Sequence, residues 1–156
     1  MKIKLNYFII PLITIAIAAL GSYFTGLGMP WYETTLIKPE LTPPAIAFPI
    51  AWTTIYIATT ISALIAWNKT QNGKHDGVIA SLFIINAILN AAWTLIFFTL
   101  HQPGLAFIEI IVLEATVLLL ILLTWDKSKI ASILLLPYFV WLGLASYLNL
   151  MLFLLN

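Results

Sequence analysis

The chain has 156 residues, of which 62% are hydrophobic and 8% are charged, and its formal net charge is +1. A soluble domain of this size cannot bury so large a share of apolar side chains. The composition therefore predicts a membrane protein, and it holds no basic run of the kind that binds nucleic acid. Cysteine is absent, which excludes disulfides, thiolate metal ligands and cysteine nucleophiles.

Five apolar stretches, separated by short polar segments, each approach the length of about 20 residues that a helix needs to cross a bilayer. They cover residues 7–24, 45–67, 78–100, 105–125 and 130–155. Whole stretches are apolar, whereas the strands of a membrane barrel alternate between apolar and polar residues. The sequence therefore predicts an all-α membrane protein, with residues 1–156 forming one bundle of five transmembrane helices surrounded by lipid.

Lysines mark one side of the predicted bundle. If successive helices alternate in direction, one face carries Lys2, Lys4, Lys69, Lys74, Lys127 and Lys129, and the opposite face carries only Lys38. Short loops rich in lysine stay in the cytoplasm. We therefore expect a cytoplasmic N-terminus, with the C-terminus and residues 25–44 outside. The first stretch also resembles a cleavable signal peptide, although it is as long as a full span.

The longest connection, residues 25–44, is rich in glycine and proline, which break regular helix and stiffen the path of the chain. We expect an ordered external cap. Trp31 and Tyr32 lie in this segment, followed by Pro43 and Pro44. Flat aromatic rings beside rigid turns can form the lid over a large planar ligand. The alternative is an aromatic belt at the membrane interface.

Three of the predicted helices carry a stripe of aromatic and amide residues at helical spacing. The stripes contain Pro49, Trp52, Thr53 and Tyr56; Asn86, Asn90, Trp93 and Phe97; and Tyr138, Trp141, Ala145 and Asn149. An amide that faced lipid would lack hydrogen-bond partners, so the stripes must face one another or a cavity. They predict a central pocket, with hydrogen bonds that only hold the helices together as the alternative.

Two carboxylates, Glu109 and Glu114, lie within the fourth stretch, and ionisable groups at membrane depth are candidates for function. Their spacing of five residues places them on different faces of a helix, so they do not form one carboxylate pair. Glu109 can reach the interface, whereas Glu114 is deeper. We expect Glu114 to make a structural hydrogen bond, with proton transfer as the alternative.

The other sequence signals are weaker. His75 and His101 lie in loops without partners at ligand spacing, so no metal site is predicted. No nucleophile and base pair or nucleotide-binding loop is recognisable. Ala87 and Ala91 form a small-residue pair on the third helix, which is typical of close helix packing and predicts a homodimer.

Short motifs recur through most of the chain, in order and on the expected helices: Trp31-Tyr32, Lys38-Pro39, Thr42-Pro43-Pro44, Phe48-Pro49, Ala51-Trp52, Asn90-Ala91-Ala92-Trp93, Phe97-Phe98, Pro137-Tyr138, Trp141, Ala145 and Leu148-Asn149. Together they resemble the translocator protein family, also called the tryptophan-rich sensory proteins or TspO/MBR family. The resemblance implies a five-helix bundle that is often dimeric. It also implies a pocket beneath the first connection for porphyrins, haem-related tetrapyrroles and drug-like aromatic molecules.

The chain departs from this family at three places. The pair Thr34-Thr35 makes the first connection one residue longer than in some members. Leu41 stands where an aromatic residue is common between the Lys-Pro and Pro-Pro pairs. At the end of the last helix, animal members carry a sterol-recognition stretch with an aromatic residue and an arginine, whereas this chain has Leu150 and Leu154 and no basic residue after Lys129. Sterol binding by that route is not supported.

The resemblance and the stripes together imply a receptor or sensor for a tetrapyrrole in a bacterial or archaeal cell membrane, without a covalently bound cofactor. The expected ligand-binding residues are Trp31, Tyr32, Pro43, Trp52, Tyr56, Asn86, Asn90, Trp93, Tyr138, Trp141 and Ala145. Two alternatives remain. One is a tetrapyrrole transporter. The other is a site that degrades porphyrin with light and oxygen, for which Trp31 and Trp141 are the catalytic candidates.

Overall fold

The computed structural model describes residues 5–69 and 75–156. Within them, five helical segments are long and apolar enough to cross a membrane, which confirms the predicted fold class. The helices are α1 (Asn6–Thr34), α2 (Ala47–Lys69), α3 (Asp76–Thr94), α4 (Pro103–Trp125), α5 (Lys129–Ile133) and α6 (Leu136–Leu155), with a π-helical segment (Leu95–Thr99) directly after α3.

The bundle is built around α4, which packs against α3 on one side and α6 on the other. Its inward face carries the most buried apolar residues, including Leu113 and Val117, and Leu142 of α6 joins them. Helix α1 packs against α2, α3 and the π-helical segment, and α2 also contacts α5 and α6. The large apolar side chains that remain exposed face outward, as expected where lipid is the solvent.

The first helix is longer than the sequence predicted. The expected break near residue 25 is wrong, because α1 continues to Thr34 and only residues 35–46 form the non-helical connection to α2. Gly28 accounts for part of the difference. A Cβ atom there would clash with the carbonyl oxygen of Phe98, so this glycine allows close helix packing instead of ending the helix. Pro30 lies inside α1 and removes one backbone hydrogen bond.

The end of the third span is not regular α-helix. Residues Leu95–Thr99 form a π-helical segment, in which the backbone N–H of Leu100 bonds the carbonyl oxygen of Leu95. His101 follows with a φ of 54°, in the left-handed region that non-glycine residues seldom adopt. This residue reverses the chain, so that α4 begins only two residues later.

The last predicted span, 130–155, is interrupted. Helix α5 ends at Ile133 and α6 begins at Leu136. Pro137 lies in the first turn of α6, where its missing N–H is tolerated, whereas it could not continue a preceding helix. Ser132 Oγ donates to the carbonyl oxygen of Ile121 at 2.7 Å, which fixes α5 against α4.

Three of the six lysines that predict the topology, Lys2, Lys4 and Lys74, lie outside the described residues. The other three gather at one end of the bundle, called here the lysine-rich end. There Lys127 Nζ lies 3.0 Å from Asp76 Oδ1. Lys38 lies at the opposite end, with its Nζ 4.6 Å from the centre of the Tyr32 ring. The helices therefore alternate as expected, and their orientation across the membrane stays a prediction.

Candidate ligand-binding site

A cavity of about 550 Å³ lies between α1, α2 and α3, within the size range of small-molecule sites. Most of its wall is apolar, with Ile9 and Ile13 from α1, Ala63 from α2 and Phe83 from α3. Trp67 and Asp76 mark its lysine-rich end. The cavity is therefore largely apolar and extends from the lysine-rich end of the bundle toward its middle.

Besides the polar groups nearer its lysine-rich end, such as Asp76, the cavity has a polar part at its inner limit, where α2, α3 and α6 meet. Tyr56, Asn86, Asn90 and Tyr138 line this part. The hydroxyl of Tyr56 donates to Asn90 Oδ1 at 3.0 Å, and Asn90 Nδ2 donates to the hydroxyl oxygen of Tyr138 at 2.8 Å. Asn90 is 4% exposed and Tyr138 is 2% exposed. This hydrogen-bonded triad satisfies the buried amide and fixes both phenol rings.

Asn86 lies one helical turn before Asn90 and serves a second purpose. Its Nδ2 donates to Thr116 Oγ1 of α4 at 2.9 Å, and that hydroxyl donates to the carbonyl oxygen of Leu113 at 2.6 Å. The side chain therefore joins α3 to α4 while it also lines the cavity. The packing role that the sequence allowed is present, and it does not prevent contact with a ligand.

Trp31 and Tyr32 do not line this cavity. The indole of Trp31 stacks on His101 with ring centres 4.2 Å apart, and its edge meets Phe97 at 5.7 Å. Tyr32 lies beside Phe97 and Phe98. These contacts fasten the outer end of α1 to the π-helical segment. Pro43 lies in the non-helical connection, away from the cavity.

The remaining predicted residues pack around the triad or farther from it. Trp52 lies behind the triad, with its ring centre 5.6 Å from that of Tyr56. Trp93 Nε1 donates to Asn149 Oδ1 at 3.0 Å, and Asn149 Nδ2 donates to the carbonyl oxygen of Pro103 at 2.6 Å. These bonds tie α3, α4 and α6 together near the outer end.

Trp141 and Ala145 belong to α6. The Trp141 ring meets Phe48 edge to face at 5.6 Å and lines a separate, more open groove between α2 and the last two helices. Ala145 packs against the buried core. The structure therefore brings together four of the predicted residues, Tyr56, Asn86, Asn90 and Tyr138, on one cavity and leaves the others outside its wall.

The TspO/MBR family model matches residues 9–155. The chain belongs to the TspO/MBR family. A tryptophan-rich protein TspO from Archaeoglobus fulgidus is 38% identical over 146 residues, which cover 93% of each chain. Another from Chlorobaculum tepidum is 36% identical over 137 residues, covering 86% of this chain and 85% of the relative. The human translocator protein is 30% identical over 131 residues, covering 83% and 77%.

In this TspO/MBR family member, the residues of α1 that line the cavity could not be recognised from the sequence. Ile9, Ile13 and Ile17 line it, yet nothing distinguishes them from isoleucines that face lipid. Thr59 was also missed, and its Oγ1 is buried without a hydrogen-bond partner. A single threonine in an apolar helix is an ordinary feature, so no sequence signal could have identified it.

The two carboxylates of α4 have different surroundings. Ser146 Oγ donates to Glu114 Oε2 at 3.1 Å, so Glu114 has the polar partner on α6 that a structural role requires. Both carboxylate oxygens of Glu109 are buried and lack hydrogen-bond partners. Within residues 5–69 and 75–156, no three His, Cys, Asp or Glu side chains lie close enough to hold a metal ion.

Proposed function

We propose that this TspO/MBR family protein is a receptor that binds a tetrapyrrole, a porphyrin or a haem-related molecule, in the cavity between α1, α2 and α3 of a prokaryotic cell membrane. The observation that carries the proposal is an apolar cavity of about 550 Å³ that ends at the Tyr56–Asn90–Tyr138 triad. Large flat molecules bind well where apolar walls supply contact area and a few fixed polar groups set the orientation.

The rigidity of the Tyr56–Asn90–Tyr138 triad supports a function as a receptor. Each polar group of the triad is held by another protein group, so a ligand meets side chains that are already oriented, which lowers the entropic cost of binding. A transporter is expected to show inverted repeats or broken helices that face each other across the site. Helix α6 is separated from α5 by a break at residues 134–135, and no matching break occurs in the other described spans.

The degradative alternative has weaker support. Its candidate residues, Trp31 and Trp141, pack on His101 and Phe48, and neither lines the cavity. If the site nevertheless degrades porphyrin, illumination in air should convert bound protoporphyrin to a new absorbing product faster than empty detergent micelles do. Equal rates would leave binding as the function.

A cavity-filling pair of variants tests the proposed site. Ala63 lines the cavity, so the phenyl ring in Ala63→Phe should occupy part of it and weaken protoporphyrin binding at least about tenfold. Ala19 is an exposed residue of α1 that does not line the cavity, and Ala19→Phe is the matched control. Binding is measured by quenching of tryptophan fluorescence in purified protein, with empty micelles subtracted. Unchanged affinity in Ala63→Phe would contradict the proposed location.

A further inference from the structure

The hydrogen-bond polarity of the triad defines what a ligand must present to it. Tyr56 donates its hydroxyl hydrogen to Asn90, so only its oxygen lone pairs remain for a further partner. Tyr138 accepts from Asn90. Asn86 also lies beside the Tyr138 hydroxyl, but its Nδ2 donates to Thr116 Oγ1, and the described residues show no hydrogen bond that Tyr138 donates. The inner limit of the cavity therefore offers one acceptor, at Tyr56, and one donor, at Tyr138.

These two groups both bond the same amide. Asn90 Oδ1 and Nδ2 are the two ends of one planar carboxamide, and each holds a phenol oxygen at 3.0 Å or 2.8 Å. A ligand that bonds both phenols must therefore present an N–H to Tyr56 and a C=O to Tyr138. A cis-amide, the group found in lactams and cyclic imides, carries both groups on one edge.

We propose that the inner limit of the cavity, formed by Tyr56, Asn90 and Tyr138, binds the cis-amide edge of a lactam-bearing aromatic molecule. The ligand N–H donates to Tyr56 and the ligand carbonyl accepts from Tyr138. The four groups then form a closed ring in which every hydroxyl or amide both donates and accepts in the same direction around the ring. Such rings strengthen each bond because the donors and acceptors polarise one another.

Asn90 is a positioning residue in this arrangement, since it sets the direction of both hydroxyl groups. Reversing its carboxamide exchanges the roles of Tyr56 and Tyr138, and the ligand still needs one donor beside one acceptor. A carboxylate or a lactone offers only acceptors, so one phenol would have to abandon Asn90 or face a lone pair. A buried polar group that loses its partner is costly, and this cost is the source of selectivity.

The inference rests on the proposed function, because it places the ligand in the same cavity, and it narrows the ligand class. In closed porphyrin rings the pyrrole N–H groups point to the centre of the macrocycle. Open-chain tetrapyrroles end in lactam rings, whose N–H and C=O lie on an outer edge. Among tetrapyrroles, the triad therefore favours the open-chain class.

The test compares two flat molecules of the same shape, phenanthridinone, which is a lactam, and benzo[c]chromen-6-one, its lactone. Isothermal titration calorimetry of the purified protein in micelles, with empty micelles subtracted, measures both affinities. We expect the native protein to prefer the lactam about tenfold, since the lactone leaves an acceptor facing Tyr56. Tyr56→Phe should reduce this preference to within about twofold. Tyr138→Phe should weaken both molecules, because both carry the carbonyl group.

Tyr147→Phe is the matched control. Tyr147 lies on the same helix as Tyr138, is 40% exposed and does not line the cavity, so the tenfold preference should persist. Circular dichroism and the melting temperature establish that each variant is folded. If Asn90 has the reversed orientation, Tyr56→Phe and Tyr138→Phe exchange their effects, and this result also supports the inference.

Three results would overturn it: equal affinities in the native protein, a preference that survives in both tyrosine variants, or no saturable lactam binding. Protoporphyrin titration of the same samples separates this failure from that of the proposed function. Porphyrin binding without lactam preference overturns the inference alone. If neither protoporphyrin nor the lactam shows saturable binding, the proposed function is overturned as well.

Discussion

Gly28 of α1 lies directly against the backbone of Phe98 in the π-helical segment. A Cβ atom on Gly28 would clash with the Phe98 carbonyl group and lie 2.7 Å from its Cα atom. Small residues at membrane helix interfaces allow backbones to approach closely, and this contact joins the outer half of α1 to the end of the third span. It also brings Trp31 and Tyr32, on the next turn of α1, against Phe97.

Replacing this glycine should loosen the outer half of α1. Gly28→Ala forces the two backbones apart and should destabilise the protein by about 1–3 kcal/mol, as overpacking does in closely packed interiors. Gly26→Ala is the control, because a Cβ atom there meets nothing within 4 Å. Thermal unfolding in detergent, followed by circular dichroism, measures both. Alanine has a higher helix propensity than glycine, so a Gly26→Ala variant that melts as low as Gly28→Ala would show that the contact with Phe98 is not the cause.

Removing the Asn149 amide should lower the free energy of unfolding more than removing the Asn156 amide does. Asn149→Ala removes the acceptor of the Trp93 indole N–H and the side-chain donor to the carbonyl oxygen of Pro103. Asn149 is 1% exposed, so the loss should be about 1–3 kcal/mol. Asn156 makes comparable bonds to the backbone of Ile37, but in an exposed position.

The same unfolding measurement on Asn156→Ala provides the comparison. Water can replace the lost bonds at an exposed site, so we expect a loss below about 1 kcal/mol. If the two variants lost equal stability, burial of the Trp93–Asn149 bond would not be what makes it important.

The five spans could be predicted from the sequence because their apolar character follows from the solvent they must face. Tyr56, Asn90 and Tyr138 could also be predicted, since polar groups at helical spacing within an apolar span must find their partners inside the bundle. The extent of α1 could not, because a glycine such as Gly28 either ends a helix or admits a close neighbour. The neighbour is the backbone of Phe98, which no local pattern reveals.

The lid role of Trp31 and Tyr32 stays a prediction. Aromatic residues such as Trp31 cover ligands, anchor helices at the interface or pack on other aromatic rings, and sequence alone does not select among these roles. Here the ring of Trp31 lies on His101, whose position depends on the π-helical segment and on a positive φ. Both are irregularities of the backbone that hydrophobic spacing cannot predict.

The topology can be tested without background labelling because the chain contains no cysteine. Single cysteines at Glu40 and at Lys127 lie at opposite ends of the bundle, in the α1–α2 connection and beside the lysine-rich end. The lysine distribution predicts that a membrane-impermeant maleimide labels only position 40 in intact cells. Disrupted cells should label at both positions. Labelling of position 127 alone in intact cells would show that the orientation is the reverse of the predicted one.

Glu114 provides the test between structural and transport roles. Glu114→Gln keeps an oxygen that can accept from Ser146 Oγ, which now lies 3.1 Å from Glu114 Oε2. We therefore expect an unchanged melting temperature and unchanged protoporphyrin affinity across pH 5 to 8. Ser146→Ala is the companion variant, because it removes the donor and keeps the carboxylate. It should lower stability by about 1 kcal/mol, since a hydrogen bond to a half-buried carboxyl group is lost.

A proton-carrying role for Glu114 predicts a different result from the same variants. Uptake of protoporphyrin into sealed proteoliposomes would then depend on a pH gradient in the native protein and in Ser146→Ala, and this dependence would vanish in Glu114→Gln while binding remained. That outcome would favour the transporter, because only a group that gains and loses a proton is disabled by an amide of the same shape. Equal behaviour of native protein and Glu114→Gln is expected, since Glu114 already has its hydrogen-bond partner on α6.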